Sequence, residues 1–146
     1  MDKTIIFNDY IVIQNTMAAY CRDIDTKQWE SLKEIVDADA KIIFRDIDGQ
    51  ITNSYNRLSD LVASCVNTIQ NAVTIHHLHN LEIIDIDKHK AEVVWAMEDR
   101  WYMDKNVSNE FEFFHGYGYY HVKFHYRSEK WLINSLELQR LKLEIE

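Results

Sequence analysis

With 146 residues, 16 Lys+Arg against 24 Asp+Glu and a formal charge of −8, the chain is long enough for one domain spanning 1–146 with a sizeable apolar core. Hydrophobic residues at 47%, only 3 Gly and no Pro exclude disorder and collagen-like or Pro-rich segments, and the acidic balance argues against a nucleic-acid partner, which needs a basic face. No apolar run of 18 residues occurs, Met1-Asp2-Lys3-Thr4 does not read as the start of a signal peptide, and Cys21 and Cys65 fall in apolar helical patterns; the expectation is a cytoplasmic protein with buried thiols and no membrane partner.

In chain order, Ile6, Tyr10, Ile13, Met17, Tyr20 and Ile24 recur every three or four residues, the stripe of an amphipathic helix. Asp23 and Asp25 crowd its C-terminal end, where the helix dipole disfavours negative charge, and such local conflicts gather where function outvotes stability. The pattern predicts a second helix after Asp25 or Thr26, carrying Trp29, Leu32 and Val36. Alternation through Ala40, Ile42 and Phe44 predicts a short strand ending near Asp48-Gly49. A third helix, opened by Asn53 or Ser54, would carry Leu58, Leu61, Val62, Cys65 and Ile69. From Val73 the period drops to 2, and four long strands are predicted at about 73–86, 90–104, 110–126 and 130–145. Their short connections, Asp87-Lys88, Asp104 to Asn109 and Arg127-Ser128-Glu129, make them antiparallel neighbours, with Gly116 and Gly118 as natural places for a bulge. Helices followed by a long, curling antiparallel sheet give an α+β architecture with the helices packed in the sheet.

Three stretches could carry chemistry. One face of the segment from Ala91 to Met103 is apolar apart from Asp99. A carboxylate buried there must be paired, hydrogen-bonded or neutralised, so Asp99 is either a functional group or a structural one held by a His or Arg. The stretch Thr74-Ile75-His76-His77-Leu78-His79-Asn80 places His77 and His79 on one strand face and His76 on the other. A His-x-His pair could hold zinc only with a third ligand, and no Cys or Glu partner has the spacing, so no metal is expected. His115, His121 and His125 share a strand face with Tyr117, Tyr119 and Lys123, which reads as surface or subunit contact. In Tyr20-Cys21-Arg22-Asp23-Ile24-Asp25, Tyr20 lies on the apolar stripe and Asp25 where the chain turns. These two are a core aromatic and a helix cap, or a donor and a carboxylate of a site.

The Y-x-R-x-x-D spacing from Tyr20 to Asp25, with Trp29 following, resembles the opening helices of the SnoaL-like polyketide cyclase group of the nuclear transport factor 2-like superfamily. His76 to His79 falls in that group's H-x-x-H strand, Glu98-Asp99-Arg100 in an E-D-R strand, and Lys130-Trp131-Leu132-Ile133 with Arg140 in its last strand. The likeness runs from about Ile6 to Arg140 and is greatest toward the bile acid 7α-dehydratase branch, with scytalone dehydratase-like lyases next. The resemblance implies a cone-shaped α+β barrel and an acid-base set of Tyr20, Asp25, His76 and Asp99. It further implies a cofactor-independent lyase (dehydratase) or isomerase/cyclase for a hydrophobic cyclic small molecule. In that scheme His76, oriented and kept basic by Asp99, removes an acidic C–H proton, and Tyr20 donates to the oxygen where charge develops. The expected pocket comprises Trp95, Met97, Trp101 and Phe114 with His79 and Arg140. The scarcity of glycine speaks against a phosphate loop, so no nucleotide cofactor is expected. A homo-oligomer, trimer or dimer, is expected. The alternative is a non-catalytic ligand-binding or assembly module, such as a dioxygenase small subunit, because one scaffold hosts both.

Overall fold

The computed structural model describes residues 3–104 and 111–146, and side chains from residue 6 onward. Helix α1 runs Lys3–Asp25 and buries Ile13, Met17, Tyr20, Cys21 and Ile24, the three-to-four spacing that puts them on one stripe. Ile13 and Met17 are sealed completely, and burying each such side chain contributes roughly 1.5–3 kcal/mol. The second predicted helix is only a 3₁₀ segment, Trp29–Glu34, anchored by buried Leu32. Val36, expected on that helix, instead opens strand β1 (Val36–Arg45), which pairs with the last strand through Val36 and Ile133.

The chain reverses at Asp46–Gly49, where Asp46 Oδ1 accepts the backbone N–H groups of Asp48 and Gln50 at 2.9 Å. Gly49 takes φ +82°, a conformation that glycine adopts without steric cost. Strand β2 (Ile51–Tyr55) follows and pairs with β1. The sequence shows no such strand, since its residues are exposed or nearly so and carry no apolar alternation. Helix α2 therefore begins later than Asn53 or Ser54, at Leu58, and runs to Ile69.

Strands β3 (Val73–Ile86), β4 (Lys90–Tyr102), β5 (Phe113–Arg127) and β6 (Lys130–Ile145) match the predicted segments closely. The turn expected from Asp104 to Asn109 and the start of β5 at residue 110 fall largely on 105–110, outside the described residues. The six strands form one open sheet in the order β2-β1-β6-β5-β4-β3. The sheet curves around the helices and does not close into a barrel: β2 and β3 are its edges. One pairing departs from the antiparallel expectation: β1 runs parallel to β6. A bulge between Tyr117 and Gly118 bends β5 against β6, where a Cβ at position 118 would lie 2.3 Å from the Gln139 carbonyl oxygen.

Candidate active site

The site begins at the end of α1. The Gln28 N–H donates to the Asp23 carbonyl at 2.8 Å and the Lys27 N–H to the Ile24 carbonyl at 3.2 Å, with Lys27 at φ +60°. This is a Schellman closure with a lysine where glycine is usual. It leaves Asp25 on the last helical turn, facing edge strand β3. Three donors from β3 converge on this carboxylate. Oδ1 accepts Thr74 Oγ1–H at 2.9 Å and lies 2.6 Å from His76 Nδ1, while Oδ2 accepts the His76 backbone N–H at 2.8 Å. That N–H is available because β3 has a strand partner on one side only. In the neutral ring, an acceptor-only carboxylate at Nδ1 selects the tautomer with the proton on Nδ1 and the lone pair on Nε2.

Strand register then sets the next groups in a row, His76 opposite Asp99 and Asp99 opposite Gly116. Asp99 is 1% exposed. Arg140 clamps it with two bonds, Nη1 to Oδ1 at 2.8 Å and Nη2 to Oδ2 at 2.9 Å, and Trp101 Nε1 donates to Oδ2 at 2.9 Å. Burial pushes the Asp99 carboxyl up, but the Arg140 hydrogen bonds and charge, aided by His76 and Trp101, outweigh it and hold the group below the usual carboxylate range. Gly116 makes this clamp possible, since a Cβ there would lie 2.1 Å from Arg140 Nη1 and 2.7 Å from Asp99 Oδ1. The carboxylate bonded to the His76 ring is thus Asp25, not Asp99, to which the family resemblance gave that role. His76 Nε2 lies 3.9 Å from Asp99 Oδ2, too far for a hydrogen bond but close enough to feel its charge.

Above this row lies a cavity of about 510 Å³, a size suited to a small ring system. Tyr20, His76, Asp99, Trp101, Phe114 and Arg140 line it. Asp25 stands behind His76 and faces a separate outer groove between α1 and β3, together with His79. His79 is therefore not in the cavity; its Nε2 pairs with Glu98 Oε2 at 2.7 Å on the outer side. Trp95 and Met97, expected in the pocket, are buried in the core without reaching the cavity, and the Trp95 ring meets Phe124 edge-on at 6.0 Å. Alternation identified their face correctly but not which stretch of it the helices cover. Phe44 and Leu61 complete the apolar wall, and Tyr120 adds a second phenol that the sequence reading missed. Its signal was the inward face of β5, Phe114-Gly116-Gly118-Tyr120, where two missing side chains flank one phenol. Among the described residues, no three His, Cys, Asp or Glu side chains are placed to hold a metal ion.

A profile of the SnoaL-like domain matches residues 7–137. The curated protein named "Probable cyclase FGR4" from Gibberella zeae is 26% identical over 136 residues, covering 89% of each chain. The hexachlorocyclohexane dehydrochlorinase LinA-type3 of Novosphingobium barchaimii superposes with a TM-score of 0.79 at 15% identity, covering 99% of this chain and 94% of that one. The putative scytalone dehydratase of Novosphingobium aromaticivorans gives 0.76 at 15% identity, with 96% and 89% covered. At such identities these structures speak for the fold, and the profile, spanning nearly the whole sequence, speaks for descent: the chain belongs to the SnoaL-like domain family.

Proposed function

We propose that this protein is a cofactor-independent acid-base enzyme, a lyase of the dehydratase kind or an isomerase/cyclase, acting on a hydrophobic cyclic small molecule. The observation that carries the reading is His76, its Nδ1 held by Asp25 and its ring on the wall of an apolar cavity. In a dehydration, Nε2 takes the proton from a carbon beside a carbonyl. The C–H electron pair moves into an enolate, and Tyr20 donates a hydrogen bond to the enolate oxygen. When the enolate collapses, the β-hydroxyl leaves with its C–O electrons and receives the proton from the His76 imidazolium, so water departs and the base is regenerated. Asp25 and the nearby Asp99 stabilise the imidazolium formed between these steps. In an isomerisation the same proton returns to another carbon of the ring. Asp99 is the anchor of Arg140 and a fixed negative charge rather than a base, because both its oxygens are already engaged.

The cyclase name of the Gibberella zeae relative favours this class of chemistry. The competing reading, a ligand-holding or assembly module, would leave His76 idle. The test is turnover of a panel of cyclic β-hydroxyketones and enones by wild type and His76→Ala, with circular dichroism to check folding. A loss of roughly 10²–10⁴-fold is expected in a folded variant. Undiminished turnover by His76→Ala would end the proposal. Two further expectations belong here. Free Cys21 and Cys65 fit a reducing compartment such as the cytoplasm. Self-association as a dimer or trimer would use the outer sheet face around exposed Tyr119.

A further inference from the structure

We infer that Tyr120 is a second hydrogen-bond donor to the ligand, paired with Tyr20, and that the pair selects an uncharged ring ligand bearing an oxygen that gains negative charge, a cyclic ketone passing through its enol or a phenol. The inference rests on the acid-base reading above and extends it to a residue and a substrate class.

The charges lining the cavity are already matched. Arg140 is clamped on Asp99, and Arg45 pairs with Glu137 and donates to the Gly49 carbonyl at 3.1 Å. Asp46, at the rim, accepts two backbone N–H groups. No uncommitted cation therefore lines the cavity among the described residues, and a carboxylate or phosphate would enter without a counter-charge. The hydroxyls are the opposite case. Tyr20 and Tyr120 are 4% and 3% exposed and both line the cavity, yet neither hydroxyl bonds to any described residue. Neither hydroxyl oxygen is among the sealed-off, unpartnered polar atoms of the described residues, so each O–H is open to an acceptor that enters the cavity.

Placement agrees. On the inward face of β5, the place of a Cβ at Gly116 is taken by the Arg140 guanidinium and at Gly118 by the Gln139 backbone, so the Asp99–Arg140 clamp lies between Phe114 and Tyr120 along that face. Tyr120 is within electrostatic reach of Tyr20, Asp99 and Arg140. Burial pushes both phenols well above their ordinary range, so at neutral pH each keeps its proton and donates. Two donors from different elements, one on α1 and one on β5, thus share the wall of one cavity.

The probe is 2-naphthol, with naphthalene as its oxygen-free counterpart, titrated into the purified protein. Wild type is expected to bind 2-naphthol more tightly than naphthalene. Tyr120→Phe should weaken 2-naphthol about tenfold and leave naphthalene unchanged, with Tyr20→Phe behaving alike. In wild type alone, bound 2-naphthol should ionise at lower pH than in water, read by absorbance; this arm needs no variant to fold. Equal affinity for the two probes, no binding of either, an unshifted ionisation, or unchanged 2-naphthol affinity in Tyr120→Phe overturns the inference. His76→Ala separates the two claims: it should bind 2-naphthol yet lose turnover. If it keeps full turnover the acid-base reading fails, whatever the tyrosine variants do.

Discussion

At the scale of single residues, the site turns on a place where no side chain can be. Gly116 faces inward between β4 and β6, and the space its Cβ would fill belongs to the Arg140 guanidinium. Gly116→Ala should push that guanidinium off Asp99 and leave a carboxylate that is 1% exposed without its main counter-charge. Breaking a buried pair by displacing one partner costs about 3–5 kcal/mol, while removing the charge itself relieves most of the strain. Thermal unfolding should therefore show a marked loss for Gly116→Ala, and adding Asp99→Asn should cost less in that background than in wild type. Equal costs in both backgrounds would show that the glycine serves only backbone geometry. Asp99 and Asp25 stand out in the sequence, because a carboxylate breaking an apolar strand face and acids crowding a helix C-terminus are both visible there, whereas Tyr20 and His76 are singled out only by the family resemblance. The partners of these groups are not legible there. Asp25 and His76 are 51 positions apart, and whether Asp25 or Asp99 orients the imidazole depends on where α1 ends relative to an edge strand.

At the scale of elements, the end of α1 is the delivery device. The Schellman turn stops the helix so that its last carboxylate meets β3 instead of solvent, and it does so with Lys27 in the left-handed region. A non-glycine residue there carries a penalty of about 1–2 kcal/mol, against which the Lys27 side chain offers one long bond to Thr74 Oγ1 at 3.4 Å. Lys27→Gly should accordingly raise stability by about 0.5–1 kcal/mol, seen as a rise of a few degrees in Tm, without disturbing the Asp25–His76 pair. A fall in Tm would mean that the lysine tail holds the turn. The long strands β3 to β6 were readable from alternation because each buries one face, whereas β2 was not, since its pairing with β1 is set by the Asp46 turn and not by apolar pattern. The parallel β1–β6 pairing was equally hidden, because it joins segments nearly a hundred residues apart with no local signal.

At the scale of the whole molecule, the curved sheet holds a cavity of about 510 Å³ and sets two buried phenol rings, Tyr20 and Tyr120, in its wall. Such an interior trades packing for function, and the trade has a pH signature. Burial raises Tyr20 and Tyr120 above the ordinary tyrosine value of 10.0 and raises the thiols as well, Cys65 to about 11. On unfolding, each of these groups returns to its lower ordinary value. Below that value both states hold the proton and stability is intact; above it the unfolded chain has lost a proton that the folded protein still holds, so stability falls as pH rises. For each buried phenol the fall is about 1.4 kcal/mol per pH unit, beginning near pH 10 and ending at the raised folded value. Denaturant titrations should show a steep loss above pH 10 that begins to develop near pH 9 as the thiols take part. Tyr20→Phe and Tyr120→Phe should each remove one proton's worth of that slope while changing little between pH 6 and 8. A slope that both variants leave untouched would place the alkaline lability elsewhere and show that the two hydroxyls are open to solvent in the folded protein.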